Sequence, residues 1–288
     1  MVVRQSASVR LQQPYHNMFP LALQGRSYVA GYSRRTGTVD FYRVGMRAPF
    51  VEETGHKVGV GEGFDVVEPF VIGNQLHLLC YTSSTGVFEI SAFSDRFTTI
   101  GLYKHSHTRG PAASTGFTTV KAFATSSQVG VMGYSSEDGR VVIYTVSVVP
   151  TSPPGTSPLI MSHVWANQWA KGWTRFAFFR FGREVFFLKT NTVFPNVNID
   201  HVLDGFAGTA EVGSHLHLDR ASQLQDVQPF QLDGDPWFAT YRKTGITTLN
   251  RIHGDCRGWT TACSFKSQRG GDHLVPVPLG SGTALLVA

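Results

Sequence analysis

The stretch Gly172–Thr190, GWTRFAFFRFGREVFFLKT, decides how the chain is read. A glycine and an aromatic lead into a short apolar run, a glycine turn and a second apolar run, the pattern of a tight β-hairpin. The same order returns in weaker form. It begins at Tyr15 (YHNMFPLALQGRSYVAGYSRRTGTVDFYRV), Gly63 (GFDVVEPFVIGNQLHLLCYTSSTGVFEISAF) and Gly116 (GFTTVKAFATSSQVGVMGYSSEDGRVVIYTV), and again at Gln223 (QLQDVQPFQLDGDPWFATYRKTGITTLNRI) and Gly258 (GWTTACSFKSQRGGDHLVPVPLGSGTALLVA). The six copies align on Leu21, Phe70, Phe123, Phe179, Phe230 and Phe265. An aromatic stands six residues earlier in five of them (Tyr15, Phe64, Phe117, Trp173, Trp259), and a tyrosine eleven later in four (Tyr32, Tyr81, Tyr134, Tyr241).

Gaps of 49, 53, 56, 51 and 35 residues separate these anchors. A period of about fifty with three apolar runs per unit is the size of a four-stranded propeller blade. Each unit predicts strand a (GWTRFAFF), a glycine turn, strand b (EVFFLKT), a second turn (RRTGT, SSTGV, EDGR or KTGI) and strand c (VNIDHV). The variable segment that follows forms an outer strand d. The short last gap suggests that the sixth unit lacks strand d, and VVRQSASVRL at the N-terminus occupies that position of the repeat. The expectation is an all-β chain, residues 1–288 as a single six-bladed β-propeller domain, with the N-terminal strand completing the last blade and removing the exposed sheet edges. A pair of β-sandwiches and a five-bladed ring are the alternatives.

Composition fits a β protein of 288 residues: 21 Phe, 9 Tyr and 30 Gly beside 16% charged residues. The net charge of +5 comes from basic residues scattered singly, which gives no basic stripe for nucleic acid. No apolar run reaches the roughly 20 residues of a membrane helix, and the N-terminus has no signal-peptide core. The chain is therefore expected in the cytoplasm, or released without a classical signal peptide. Its three cysteines, Cys80, Cys256 and Cys263, make neither a disulfide framework nor a zinc spacing; a Cys256–Cys263 bridge would need an oxidising compartment.

The segment KGWTRFAFF…GREVFFLKT…VNIDHVLDG resembles the GWTHF…YLLSYK…IDRI…DG repeat of tachylectin-like and tectonin-like β-propellers, many of which bind sugars. The likeness spans the chain as degenerate copies and is strongest over Gly172–Gly205, then over Trp237–Gly254. It implies the fold, and sugar binding as an expectation.

Most of the opening stretch is architecture, with Trp173 and Phe179 filling space between blades. What fails to repeat is more informative about function. The end of strand c holds Tyr42-Arg43, Ser91-Ala92, Tyr144-Thr145, Asp200-His201 and Asn250-Arg251, so its polar pair drifts while the scaffold persists. Sugar hydroxyls are read by hydrogen bonds and the pyranose face by an aromatic ring. A lectin-like carbohydrate site is therefore expected at Trp173, Asp200, His201, Trp237, Asn250 and Arg251. These polar pairs could also be plain links between blades. The rival is an enzyme with one asymmetric site on the propeller face or in its tunnel, a glycoside hydrolase, lyase or cyclase acting on a small molecule.

Seven of the 11 histidines (His56, His105, His107, His163, His215, His217, His253) fall in the variable segments. HSHT and HLHLD place paired rings on one strand face, and with Asp219 could begin a metal site. Outermost strands of different blades do not converge, so no metal and no cofactor are expected. GVGEGF (Gly59–Phe64) lacks the helix behind it that a phosphate loop needs. No pair among Glu52, Glu53, Glu62, Asp65, Glu68, Asp200, Asp204 and Asp226 can be set at glycosidase spacing from sequence. Val148–His163, rich in Pro, Ser and Thr, reads as a loop between the third and fourth blades.

Overall fold

The computed structural model describes residues 11, 13–47, 50–94, 96–107, 110, 112–125, 128–148, 159–191, 196–218, 223–279 and 282–288. It is an all-β β-propeller fold in which each of the first five repeats folds into a four-stranded antiparallel blade. The first blade is β1 (Asn17–Leu23), β2 (Arg26–Ser33), β3 (Thr38–Val44) and β4 (Val51–Gly59); the second is β5 (Val66–Ile72), β6 (Gln75–Thr82), β7 (Val87–Phe93) and β8 (Thr99–His105). The third is β9 (Thr119–Ala124), β10 (Val129–Tyr134), β11 (Arg140–Val148) and β12 (Leu159–Gln168); the fourth is β13 (Trp173–Phe181), β14 (Glu184–Asn191), β15 (Asn196–Val202) and β16 (Thr209–His217). The fifth is β17 (Leu224–Leu232), β18 (Asp235–Arg242), β19 (Ile246–Ile252) and β20 (Trp259–Lys266), and a two-stranded sheet of β21 (Leu274–Leu279) and β22 (Gly282–Val287) follows.

The expectation of six blades is thus corrected to five. The segment GWTTACSF, aligned as strand a of a sixth blade, is instead β20, the fourth strand of the fifth, paired with β19. Its burial explains the choice, because most side chains from Thr260 to Lys266 are exposed, as suits an outer strand and not an inner one packed on both sides. The turn His253–Gly258, with Cys256 at φ 55°, returns the chain antiparallel to β19. The expected strands b and c of the last repeat do form, as β21 and β22. The N-terminal strand proposed to complete that blade, VVRQSASVRL, is residues 2–11, of which 2–10 lie outside the described residues. Val148–His163 is also reassigned: residues 149–158 lie outside the described residues, and Leu159 already begins β12, so the segment joins two strands of the third blade.

The strands gather into two compact units. One holds residues 1–62, 223–252 and 259–288; the other holds 63–222 and 253–258. In the first, β21 packs on β17 of the fifth blade and on β1 and β2 of the first, with Val275 and Val277 against Val29 and Val44. In the second, the apolar cores lie between consecutive blades. Phe70, Leu79, Tyr81 and Phe88 meet Val131, Tyr144 and Met161, and Phe123, Met132 and Tyr134 meet Trp173, Phe176 and Phe187. Among the described residues, no helix is long and apolar enough to cross a membrane.

The repeated tyrosine has a physical role. Tyr32, Tyr81, Tyr134 and Tyr241, all fully buried at the end of the second strand, donate their hydroxyls to the backbone carbonyls of Gly61, Ser114, Ala170 and Gln268, at 2.7–2.9 Å. Each carbonyl lies on the connection that leaves the same blade. The hydroxyl also accepts a backbone N–H beyond it in three cases, from Phe117, Trp173 and Gly271. The tyrosine therefore latches a connection that carries no sheet hydrogen bonds of its own. Tyr134→Phe removes both bonds and leaves the buried Trp173 N–H unmatched. It should cost about 1–3 kcal/mol in chemical denaturation, and a change below about 0.5 kcal/mol would contradict the latch.

Candidate functional site

In the fourth blade Thr190 replaces the latch tyrosine, and its neighbour Lys189 stands where the register of the first and third blades holds Gly31 and Gly133. Those glycines are needed: a Cβ on Gly31 would lie 2.5 Å from the Tyr15 ring, and one on Gly133 would lie 2.3 Å from the Phe117 ring. Trp173, equivalent to Tyr15 and Phe117, leaves room for a lysine instead. The Lys189 ammonium lies 5.0 Å from the Trp173 ring centroid and 4.4 Å from that of Trp169, within cation–π range of both.

Asp200 makes a second departure at the position of Tyr42 and Tyr144. Lys189 Nζ is 2.5 Å from Asp200 Oδ2, with the two side chains only 7% and 2% exposed. The repeat thus exchanges small and aromatic groups for a buried ion pair. Desolvation pushes the Asp200 carboxyl above the usual carboxylate range, Glu211 adds to the rise, and the Lys189 ammonium opposes it. Asp200 Oδ1 has no hydrogen-bond partner.

Polar groups continue from this pair to the surface. Glu211 on β16 is directly opposite Asp200 in the ladder and is exposed. Its carboxylate accepts from Asn198 Nδ2, while Asn198 Oδ1 accepts the backbone N–H of His215 at 3.0 Å. Half-buried Trp165 lies 6.3 Å from Trp169 and packs against the same core. The arrangement joins a buried acceptor and ammonium, a surface carboxylate bonded to a buried amide, and the indoles of Trp165 and Trp169 at the end of the third blade.

The six residues expected to bind ligand divide accordingly. Trp173 and Asp200 lie on one sheet face, joined through Lys189. His201 is on the other face, stacked on Phe186 at 4.8 Å with Nε2 3.6 Å from Glu184. In the fifth blade Trp237 and Asn250 also lie on opposite faces, since the partner across from Asn250 is Phe238. Trp237 is core, stacked on Phe230, and its buried indole N–H has no hydrogen-bond partner. Fully buried Asn250 accepts from Thr261 Oγ1 at 2.8 Å, and its Nδ2 has no partner. Arg251 pairs with Asp235 at 2.6 Å on the surface. The fifth blade therefore forms no common pocket from its three expected residues.

Lys189 was not among the expected residues, although setting the copies in register would have shown it, as the only charged residue in a column of Gly31, Cys80, Gly133 and Thr240. The first blade carries a different polar cluster. Asp40 accepts from Gln13 and Tyr15, at 2.8 and 2.7 Å, and lies 3.6 Å from Lys57. Burial and bonding to Tyr42 and Asp40 hold the Tyr15 hydroxyl far above its ordinary pKa, so it is a donor and not a nucleophile. Cys80, Cys256 and Cys263 are free thiols. Among the described residues, no three His, Cys, Asp or Glu side chains are placed to hold a metal ion.

No family model and no curated sequence matches the chain. Solved structures are similar in fold. A GH43 β-1,3-galactosidase with galactodeoxynojirimycin is 10% identical with a TM-score of 0.57, over 87% of this chain and 95% of that one. Aleuria aurantia lectin, in complex with Fucα1-6GlcNAc, is 9% identical at TM-score 0.56 over 90% and 83%. A putative 6-phosphogluconolactonase from Bacteroides fragilis is 11% identical at TM-score 0.53 over 90% and 75%.

Proposed function

We propose that the protein is a ligand-binding β-propeller, lectin-like, that takes a carbohydrate at the fourth blade. The observation that carries this reading is the break in the repeat. Lys189 and Asp200 occupy positions that the first and third blades fill with glycine and tyrosine, and on the same face Asn198 bonds the exposed Glu211 opposite Asp200. Burying a charge pair is expensive, and a purely architectural position is served as well by apolar residues. Exposed Glu211, held by buried Asn198, suits vicinal hydroxyls, Trp165 offers an apolar face, and Lys189 with Asp200 fixes the polar floor. A lectin in complex with Fucα1-6GlcNAc and a β-1,3-galactosidase among proteins of similar fold support a sugar as ligand, as does the resemblance of Gly172–Gly205 to tachylectin-like repeats.

A glycan array with and without EDTA, run beside Trp165→Ala and Glu211→Gln, tests the proposal. Selective binding that survives EDTA and weakens at least about tenfold in both variants is the expected result, the loss of one or two good contacts. Binding unchanged in both variants would remove the fourth blade as the site.

The alternative reading is an enzyme. It draws on Asp200 and Glu211, opposite each other in the ladder, one buried and biased toward its protonated form, the other exposed. Two carboxylates in unlike surroundings are what glycoside cleavage uses. Shortening of a bound glycan on prolonged incubation, abolished in Glu211→Gln, would favour it.

A further inference from the structure

A second polar cluster lies on the outer strands of the second and third blades. His105 ends β8. Its ring stacks on Tyr103 with centroids 6.3 Å apart and meets the edge of Tyr144 at 5.9 Å. Its Nδ1 is 3.4 Å from the Tyr103 hydroxyl, while its buried Nε2 has no hydrogen-bond partner. His107 follows two residues later and stacks on His163 of β12 at 6.2 Å, and His163 in turn meets Tyr144 at 6.3 Å. The Tyr103 hydroxyl accepts the Met161 N–H at 2.9 Å, bridging the two outer strands across which these imidazoles face.

We propose that His105, His107 and His163 form an acid-sensitive latch: near neutral pH the three rings pack the β8–β12 seam, and protonation of His105 and His163 opens it. Among the described residues the surrounding groups leave the cluster without a matching anion. On β8, Lys104 carries a positive charge whose partner Glu89 of β7 is already bound to it at 2.6 Å. On β11 the buried Tyr144 hydroxyl is spent on the Ala112 carbonyl, and burial holds its pKa well above the ordinary tyrosine value, so it stays neutral. Ser114 binds the His107 backbone. Burial lowers the pKa of His105 and of His163, and in both the electrostatic influence of the neighbouring His107 ring lowers it further.

The direction of the effect follows. Above the ordinary histidine pKa near 6.5 the folded and open forms bind no protons at His105 and His163, so pH does not matter. Below it the open form takes up protons that the closed form refuses, and the closed form loses stability until the pH passes the lowered values. Each unit of lowering, per ring, raises the open population about tenfold.

Amide hydrogen exchange of the whole protein, followed by strand from pH 7.5 to 5 and corrected for intrinsic exchange, tests the latch. Opening of β8 and β12 should rise at least about tenfold, while β14 and β15 in the same unit stay level. In His107→Gln/His163→Gln, both at exposed positions, the rise should shrink severalfold. An undiminished rise in that variant, or none in the wild type, overturns the proposal. So does a His105 ring resonance titrating at or above 6.5, a reading that needs no variant.

Discussion

Lys189→Ala is expected to lower the unfolding free energy by about 3–5 kcal/mol, because it leaves the Asp200 carboxylate buried without its cation. Thermal denaturation should fall by about 10 °C. The double variant Lys189→Met/Asp200→Leu should return to within about 1 kcal/mol of wild type, since well-packed apolar groups can replace a buried pair without loss. Glycan binding should nevertheless stay weak in the double variant. Stability and binding then separate: recovery of both would mean that the pair serves only packing. A single variant as stable as the wild type at neutral pH would mean that Asp200 takes up a proton once its cation is gone, or that water reaches it.

The second large effect is at Gly139, on the turn between β10 and β11. Its φ of +83° disfavours any side chain, and a Cβ there would sit 2.2 Å from the backbone oxygen of Trp169. The same glycine accepts the Trp169 N–H at 2.8 Å, so it sets the height of the indole that covers Lys189. Gly139→Ala should cost about 3 kcal/mol, roughly 1 for the left-handed conformation and the rest for displaced backbone. Gly182→Ala is the matched control: φ is +62° but nothing lies within 4 Å of its Cβ, so only the conformational part should appear. Equal losses in the two variants, with unchanged tryptophan fluorescence, would show that the Trp169 carbonyl yields freely and does not fix the site.

Much of this architecture is legible in the sequence because a blade must satisfy the same constraints each time. The apolar strands, the turn glycines and the latch tyrosine recur for that reason, and the first five units were read in the right order. The blade count was not, since GWTTACSF carries the glycine and tryptophan of an inner strand but the exposure of an outer one. The predominant exposure of Thr260–Lys266 decided its place, and that is a property of packing. The site was half legible. The drift at Asp200 was visible, but a list of positions could not tell which side chains share a sheet face. Period-two alternation sends His201 away from Asp200, and Trp237 away from Asn250. Lys189 hid inside a strand that otherwise reads as core.

The sheet of β21 and β22 bears on how the protein folds. Contacts such as Ser27 Oγ to the Pro278 carbonyl, and His273 Nε2 with the Tyr15 carbonyl, join residues more than 250 positions apart. The strands β5 to β16 instead form an unbroken run whose cores link neighbours in the chain. During synthesis the middle blades can therefore assemble while the first blade waits, its Val29 and Val44 uncovered until Val275 and Val277 arrive. That waiting surface is where a chaperone would be needed, and where a stalled or shortened chain would aggregate first.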